Sequence, residues 1–167
     1  MAAEKDKFPV TQAVRALKAA GITYEGFLYD YVERGGTTTI AKALNLDEHI
    51  VIKTLVMETD AKKPLVILMH GDRSVSVKNL ARILGVKSIS PCEPAQAERN
   101  SGYKCGGTSP FGLKRRDMPI YVEKTILDLE YFYINGGHRG FCVRITPADL
   151  QRALTVTPVE VAIDSLD

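Results

Sequence analysis

One lysine interrupts the apolar run Val51-Ile52-Lys53-Thr54-Leu55. An ammonium carried into a dry core costs several kcal/mol, on the order of 5, unless something pairs with it. Lys53 is therefore expected to reach a cleft and hold a phosphate or carboxylate; the alternative is an edge position from which its charge snorkels to water. A second constellation is Gly102-Tyr103-Lys104-Cys105-Gly106-Gly107-Thr108-Ser109-Pro110-Phe111-Gly112-Leu113-Lys114-Arg115-Arg116. Glycines let the main chain approach a ligand and present peptide N–H groups to an oxyanion or phosphate. The run from Gly107 to Gly112 comes near a Walker A loop, but Leu113 stands at the lysine position and no Ser or Thr follows Lys114, so that reading fails. The competing reading is a plain glycine-rich connection with a solvated basic flank. Gly136-Gly137-His138-Arg139-Gly140 could touch a nucleotide, although such turns also join hairpins routinely.

Other chemistries find less support. Cys92, Cys105, Cys142, His49, His70 and His138 show neither Cys-x-x-Cys nor His-x-x-x-His spacing, so no metal and no cofactor is expected. A cysteine–histidine nucleophile pair has no local signature, and a distant pair stays open. Three cysteines without a close pair do not suggest a disulfide framework, which makes a reducing cytoplasm the expected location.

The elements that must position these residues alternate between helix and strand. Val10, Ala13, Val14 and Leu17 recur at helical spacing before Gly21, predicting a helix over about 10–20. Residues 22–31 read as a strand, and Thr37, Thr38 and Thr39 offer hydroxyl caps to a short helix. Residues 50–57 read as a central buried strand with a hairpin partner at 64–69, followed by a helix ending at Gly85. A short strand at 86–90 and a helix at 95–99 with Pro94 in its first turn lead to residues 100–119, which carry neither period and read as a functional loop. Strands at 120–122 and 131–135, a turn at 136–140 and a returning strand at 141–145 follow. Thr146-Pro147-Ala148-Asp149 starts a helix through Leu154, and a last strand lies at 159–163.

Composition bounds the rest. The chain has 167 residues, 45% hydrophobic and 25% charged, which fits one globular domain over 1–167 and excludes disordered, collagenous and coiled-coil classes. The longest apolar stretch is residues 65–69, far short of a membrane span, and the first residues are charged without an apolar signal region. A net charge of +2 is small, yet residues 99–116 hold Arg99, Lys104, Lys114, Arg115 and Arg116 and no acid.

In order, Val51-Ile52-Lys53-Thr54-Leu55, Ser101-Gly102-Tyr103, Gly106-Gly107-Thr108-Ser109-Pro110-Phe111-Gly112 and Asn135-Gly136-Gly137-His138-Arg139-Gly140 resemble the motifs of the YbaK/EbsC family of aminoacyl-tRNA deacylases. That family is homologous to the editing domain of bacterial prolyl-tRNA synthetases, and the resemblance covers roughly residues 11–162. It implies a mixed α/β fold, a curved, barrel-like mixed β-sheet with helices packed around it. It implies release of cysteine from mischarged Cys-tRNA(Pro), with the substrate's own thiol attacking its ester to give a thiolactone. A deacylase for another small amino acid such as alanine, or a noncatalytic acceptor-end or nucleotide-binding module, is the alternative.

On the same basis Lys53 matches the lysine that engages the acceptor end, and Gly106, Gly107, Thr108, Ser109 and Pro110 form the glycine-x-x-x-proline loop whose amides would hold the ester carbonyl. Tyr29, or Tyr31 in a shifted register, would shape the pocket with Thr54, Asn135, Gly136, Gly137 and Cys142. Lys104, Lys114, Arg115, Arg116 and Arg139, with Lys78 and Arg82, would neutralise tRNA phosphates. Prolyl-tRNA synthetase is the protein partner implied. Cys142 stands where the family carries aspartate and Asn135 where serine is common, both expected at the pocket.

Overall fold

The computed structural model describes residues 8–165. Helix α1 (Gln12–Ala19) starts at Thr11, whose hydroxyl accepts the Val14 amide at 3.0 Å, and it buries Ala13, Val14 and Leu17. Strand β1 (Glu25–Leu28) is shorter than the sequence predicts. Its partner strand begins at Phe141, opposite Leu28, and one further bond, from the Tyr29 amide to the Gly140 carbonyl at 2.9 Å, ends the pairing there. Helix α2 (Gly36–Leu44) lacks the predicted threonine cap. The hydroxyls of Thr37 and Thr38 instead donate to Glu48 Oε2, at 2.7 and 3.1 Å.

Strands β2 (Val51–Thr59) and β3 (Pro64–His70) form the expected hairpin, followed by β4 (Arg73–Val75) and helix α3 (Val77–Leu84). Strand β5 (Ile89–Pro91) and helix α4 (Pro94–Ser101) precede the long loop at 102–119. Strand β6 (Ile120–Glu123), a 3-10 turn, β7 (Phe132–His138), β8 (Phe141–Ile145) and helix α5 (Pro147–Ala153) follow. A reciprocal capping box between Thr146 and Asp149 starts α5 as its sequence implies. The predicted last strand resolves into β9 (Thr157–Val159) and β10 (Ala162–Asp164), which lie in different sheets. The chain breaks between them because the buried Glu123 carboxylate takes the amides of Val161 and Ala162, at 2.7 and 2.8 Å.

The main sheet runs β1-β8-β7-β2-β3-β6-β9 and is mixed, as the resemblance implies; its outer strands β1 and β9 do not pair, so the barrel-like sheet is open. Helices cover both faces. Ala13 and Leu17 of α1 and Leu150 of α5 pack with Ile52, Val56, Phe132 and Phe141, whereas Leu80 and Ala81 of α3 pack with Met57, Leu65, Ile67 and Met69.

Strand β2 is where the sheet forks. Its one edge is taken by β3. The other edge is shared: β7 runs parallel to it at Val51 and Ile52, and β5 antiparallel to it at residues 57–59. Between these two partners, residues 53–55 have no strand beside them on that edge.

A candidate active site at the fork

A cleft of about 630 Å³ opens at this fork. Its walls include Lys53, Thr54 and Leu55 of β2, Tyr29, Tyr31 and Arg34 before α2, Ile40 of α2, Pro94 and Glu98 of α4, Cys105, Gly106 and Thr108 of the loop, and Asn135 and Arg139 of the β7–β8 hairpin. Strand alternation puts Lys53 with Val51, Leu55 and Met57 on one face of β2, and Thr54 with Ile52 and Val56 on the other. Because the edge is open, both faces reach the cleft. Lys53 is half-buried, so it sits in the cleft wall and is not an edge residue carrying its whole side chain into water. Thr54 Oγ1 is buried and, among the described residues, has no hydrogen-bond partner.

The loop enters the cleft as a tight turn. The Gly107 amide donates to the Lys104 carbonyl at 2.8 Å, closing four residues in which Gly106 is third, at φ +89°. Positive φ in that position is the reason for glycine, and a Cβ there would lie 2.7 Å from Tyr31 Oη across the cleft. Two side chains lock the turn. Arg139 Nε donates to the Cys105 carbonyl at 2.8 Å, and Asn135 Nδ2 donates to the Gly106 carbonyl at 3.0 Å. In a planar trans peptide the C=O and N–H point in opposite directions, so holding the Cys105 oxygen on Arg139 fixes where the Gly106 N–H points. The Arg139 guanidinium in turn stacks over the Tyr31 ring, 4.9 Å from its centroid. Glu98 Oε2 accepts the Cys105 amide at 2.9 Å and ties the turn to α4.

The remaining loop residues support the turn from behind. Ser109 and Pro110 are buried, and the Ser109 hydroxyl accepts the Phe111 amide at 3.2 Å. The buried Gly107 spends its amide within the turn, and a Cβ there would meet the Arg139 backbone nitrogen at 2.9 Å. Of the five loop residues expected to act on the ester, only Gly106 and Thr108 therefore face the cleft.

Gly136 and Gly137 also differ from expectation, since they belong to β7 and not to the turn. A register shift between Asn135 and His138 forms a bulge there, in which Asn135 Oδ1 accepts the amides of Gly137 at 2.7 Å and His138 at 3.2 Å. Neither glycine lines the cleft; the bulge aims Asn135 at it.

Cys142 is not at the pocket surface. It is wholly buried with Ile40, Ala41, Val51 and Tyr133, because alternation along β8 sends Phe141 and Val143 to one core and Cys142 to the layer under α2. Burial pushes its thiol up to about 12. Cys105 does line the cleft, and burial followed by the neighbouring Glu98 carboxylate raises its thiol above the ordinary value. Burial likewise raises the Tyr29 phenol.

Lys104, Lys114, Arg115 and Arg116 are exposed and lie outside the cleft lining, and Arg115 Nε pairs with Asp117 at 2.8 Å. Lys78 and Arg82, exposed on α3, are also outside it. Sequence reading missed the wall at residues 32–37 and Glu98, which carry no motif; the only signal was the helix register placing Glu98 one turn before the loop.

His49, His70 and Asp72 bring ligand-type atoms within 4.8 Å of one another. The two rings are stacked, with centroids 3.8 Å apart. The buried His70 uses both nitrogens, Nδ1 donating to the His49 carbonyl and Nε2 accepting from Thr125 Oγ1, each at 2.7 Å. This assignment makes the ring neutral and leaves it no lone pair for an ion.

Residues 36–153 match the aminoacyl-tRNA editing domain family. The chain is 25% identical over 146 residues to EbsC of Enterococcus faecalis, which carries a provisional Cys-tRNA(Pro)/Cys-tRNA(Cys) deacylase assignment; the match covers 87% of this chain and 88% of that one. It is 28% identical over 107 residues to the proline–tRNA ligase of Thermodesulfovibrio yellowstonii, 64% of this chain but only 18% of the ligase. A solved structure provisionally described as a trans-editing enzyme for prolyl tRNA synthetase superposes with a TM-score of 0.80 at 18% identity, covering 93% of this chain and 99% of that one, which shows the shared fold. With a family match that takes in Lys53 and both glycine motifs of the cleft, the chain belongs to the aminoacyl-tRNA editing domain family.

Proposed function

We propose that this protein is a trans-editing deacylase that releases cysteine from mischarged Cys-tRNA(Pro). The observation that carries this reading is the Gly106 turn beside a cleft lysine, with the direction of the Gly106 N–H fixed by Arg139 and the following peptide held by Asn135. Support for action in trans is that EbsC and the trans-editing enzyme are matched over nearly their whole lengths.

An editing site must orient an aminoacyl ester and stabilise the charge that develops on its carbonyl oxygen. In this reading the Gly106 amide receives that oxygen, and Lys53 engages the negatively charged acceptor end. Tyr29 and Thr54 limit the space left for the amino acid, so specificity arises as differential transition-state binding. Gly107, Ser109 and Pro110 act only by holding the turn. The nucleophile is the substrate's thiol: its sulfur bonds to the carbonyl carbon as the bond to the ribose oxygen breaks, the thiol proton passes to that oxygen, and a thiolactone leaves free tRNA. Lys104, Lys114, Arg115, Arg116 and Arg139 contact tRNA phosphates without reading sequence, and prolyl-tRNA synthetase supplies the tRNA selection.

The deciding experiment incubates catalytic amounts of protein with cysteinyl-, alanyl- and prolyl-tRNA(Pro). Release of cysteine well ahead of the other two is expected. Protection of all three esters would identify a binding module instead, and faster loss of alanine would move the specificity.

A further inference from the structure

Beside the cleft lies a second hollow of about 620 Å³, reached past Tyr31 and Arg139, which line both. Its floor is apolar, formed by the half-buried Phe8 and Pro9, with the Phe8 ring lying 5.8 Å from the buried ring of Phe141, and by Leu28, which is 42% exposed although it is large and aliphatic. Its rim carries His138 and Arg139 on one side and Asp30 on the other. Arg139 belongs to both hollows: its Nε is fixed on the Cys105 carbonyl and its planar group lies over the Tyr31 ring. An apolar floor, an aromatic wall and a cationic rim are what a base and its phosphate require.

We propose that this second hollow seats the nucleotide preceding the esterified one, its base on Phe8 and Leu28 and its phosphate at His138 and Arg139. The inference rests on the reading of the main cleft as the ester site, because only then does the single-stranded end continue past Tyr31. The volume matches the range of small-ligand sites, and the shared wall makes the path between the two hollows short. The Tyr31–Arg139 stack then separates the two nucleotides, and the site reads the length of the acceptor end, with no dependence on the tRNA body.

The experiment compares cysteinyl esters of adenosine and of the dinucleotide cytidylyl-(3′→5′)-adenosine, with binding of the two unacylated compounds measured alongside. The parent should bind and turn over the dinucleotide on the order of tenfold better, the scale of one stacked base. Leu28→Glu, at an exposed strand end, should remove that gain while leaving the adenosine ester unchanged; His138→Ala should reduce it partly. Equal affinity of the two compounds for the parent, or a gain that survives in Leu28→Glu, overturns the second hollow. The binding comparison stands whether or not any ester is cleaved, so loss of all turnover with a retained dinucleotide preference would remove the deacylase reading and leave the base site.

Discussion

Gly106→Ala tests whether the backbone amide does the chemistry. At φ +89° an L-residue is strained by about 1–2 kcal/mol, and for a chain of this size each kcal/mol shifts Tm by about 2–4 °C. A loss of about 2–8 °C is therefore expected by calorimetry, with a single cooperative transition retained. The new Cβ would also stand 2.7 Å from Tyr31 Oη and 2.8 Å from Tyr31 Cε2, so the ring must swing away from Arg139 or the turn must tilt. The ring is the far end of a side chain and gives first, but relief of the backbone strain still rotates the Gly106 N–H. Loss of one oxyanion donor lowers turnover on the order of 10²- to 10³-fold. Single-turnover release from cysteinyl-tRNA should fall by that factor, while affinity for uncharged tRNA stays within about threefold, because Lys104, Lys114, Arg115 and Arg116 lie outside the cleft. Tyr31→Ala is the control, since it removes the stack and leaves the turn. A folded Gly106→Ala protein with an unchanged single-turnover rate, or a Tyr31→Ala protein that loses as much, would refute amide catalysis.

Lys53→Ala should fold normally and lose at least tenfold in deacylation, about 1.4 kcal/mol; a rate within about threefold of the parent would reduce Lys53 to a solubilising residue of the cleft wall. The combined variant Cys92→Ser, Cys105→Ser, Cys142→Ala should retain turnover, with alanine at Cys142 because a hydroxyl buried in that apolar layer costs about 1–3 kcal/mol; trapping of an acyl-enzyme on the parent, with a dead but folded variant, would assign the nucleophile to the protein. Stability should fall with acid through His70. Burial lowers its pKa below the ordinary histidine value, so the unfolded chain takes up the proton first, and the stabilisation present above that ordinary value is lost as pH falls toward the lower folded one. His70→Gln should flatten this part of the Tm–pH curve, and an equal slope in parent and variant would count against it.

The β2–β3 hairpin, α1, α3 and α5 are legible in the chain because apolar period, caps and terminal glycines agree there. Where they fail, tertiary partners outcompete local ones. Thr37 and Thr38 serve Glu48 and cap nothing, and Glu123 splits the last predicted strand by claiming two of its amides. Gly136-Gly137 looks like a turn, and only the Asn135 side chain, bonding two amides, keeps it in the strand as a bulge. Lys53, Gly106 and Arg139 are legible as site residues because each stands in a stretch that breaks a local pattern, whereas Asn135 is legible only through the family resemblance. Cys142 was misplaced because neighbours in sequence do not reveal which face of β8 the layer under α2 covers.

The fork in β2 has a consequence for how such a site can change over evolutionary time. Ile52 is the last residue paired with β7 and Met57 the first paired with β5, so the opening along the strand is five residue steps, roughly 16 Å at the usual rise per residue. That length is set by covalent spacing and ladder register, and a register slip of one residue would turn every side chain of β2 to the opposite face. Substitutions can thus line the opening differently without widening or closing it. On this frame the aperture is constant and only the residues on its rim are free to be exchanged, so a change in what the opening admits is expected from new side chains at fixed stations and not from a remodelled backbone.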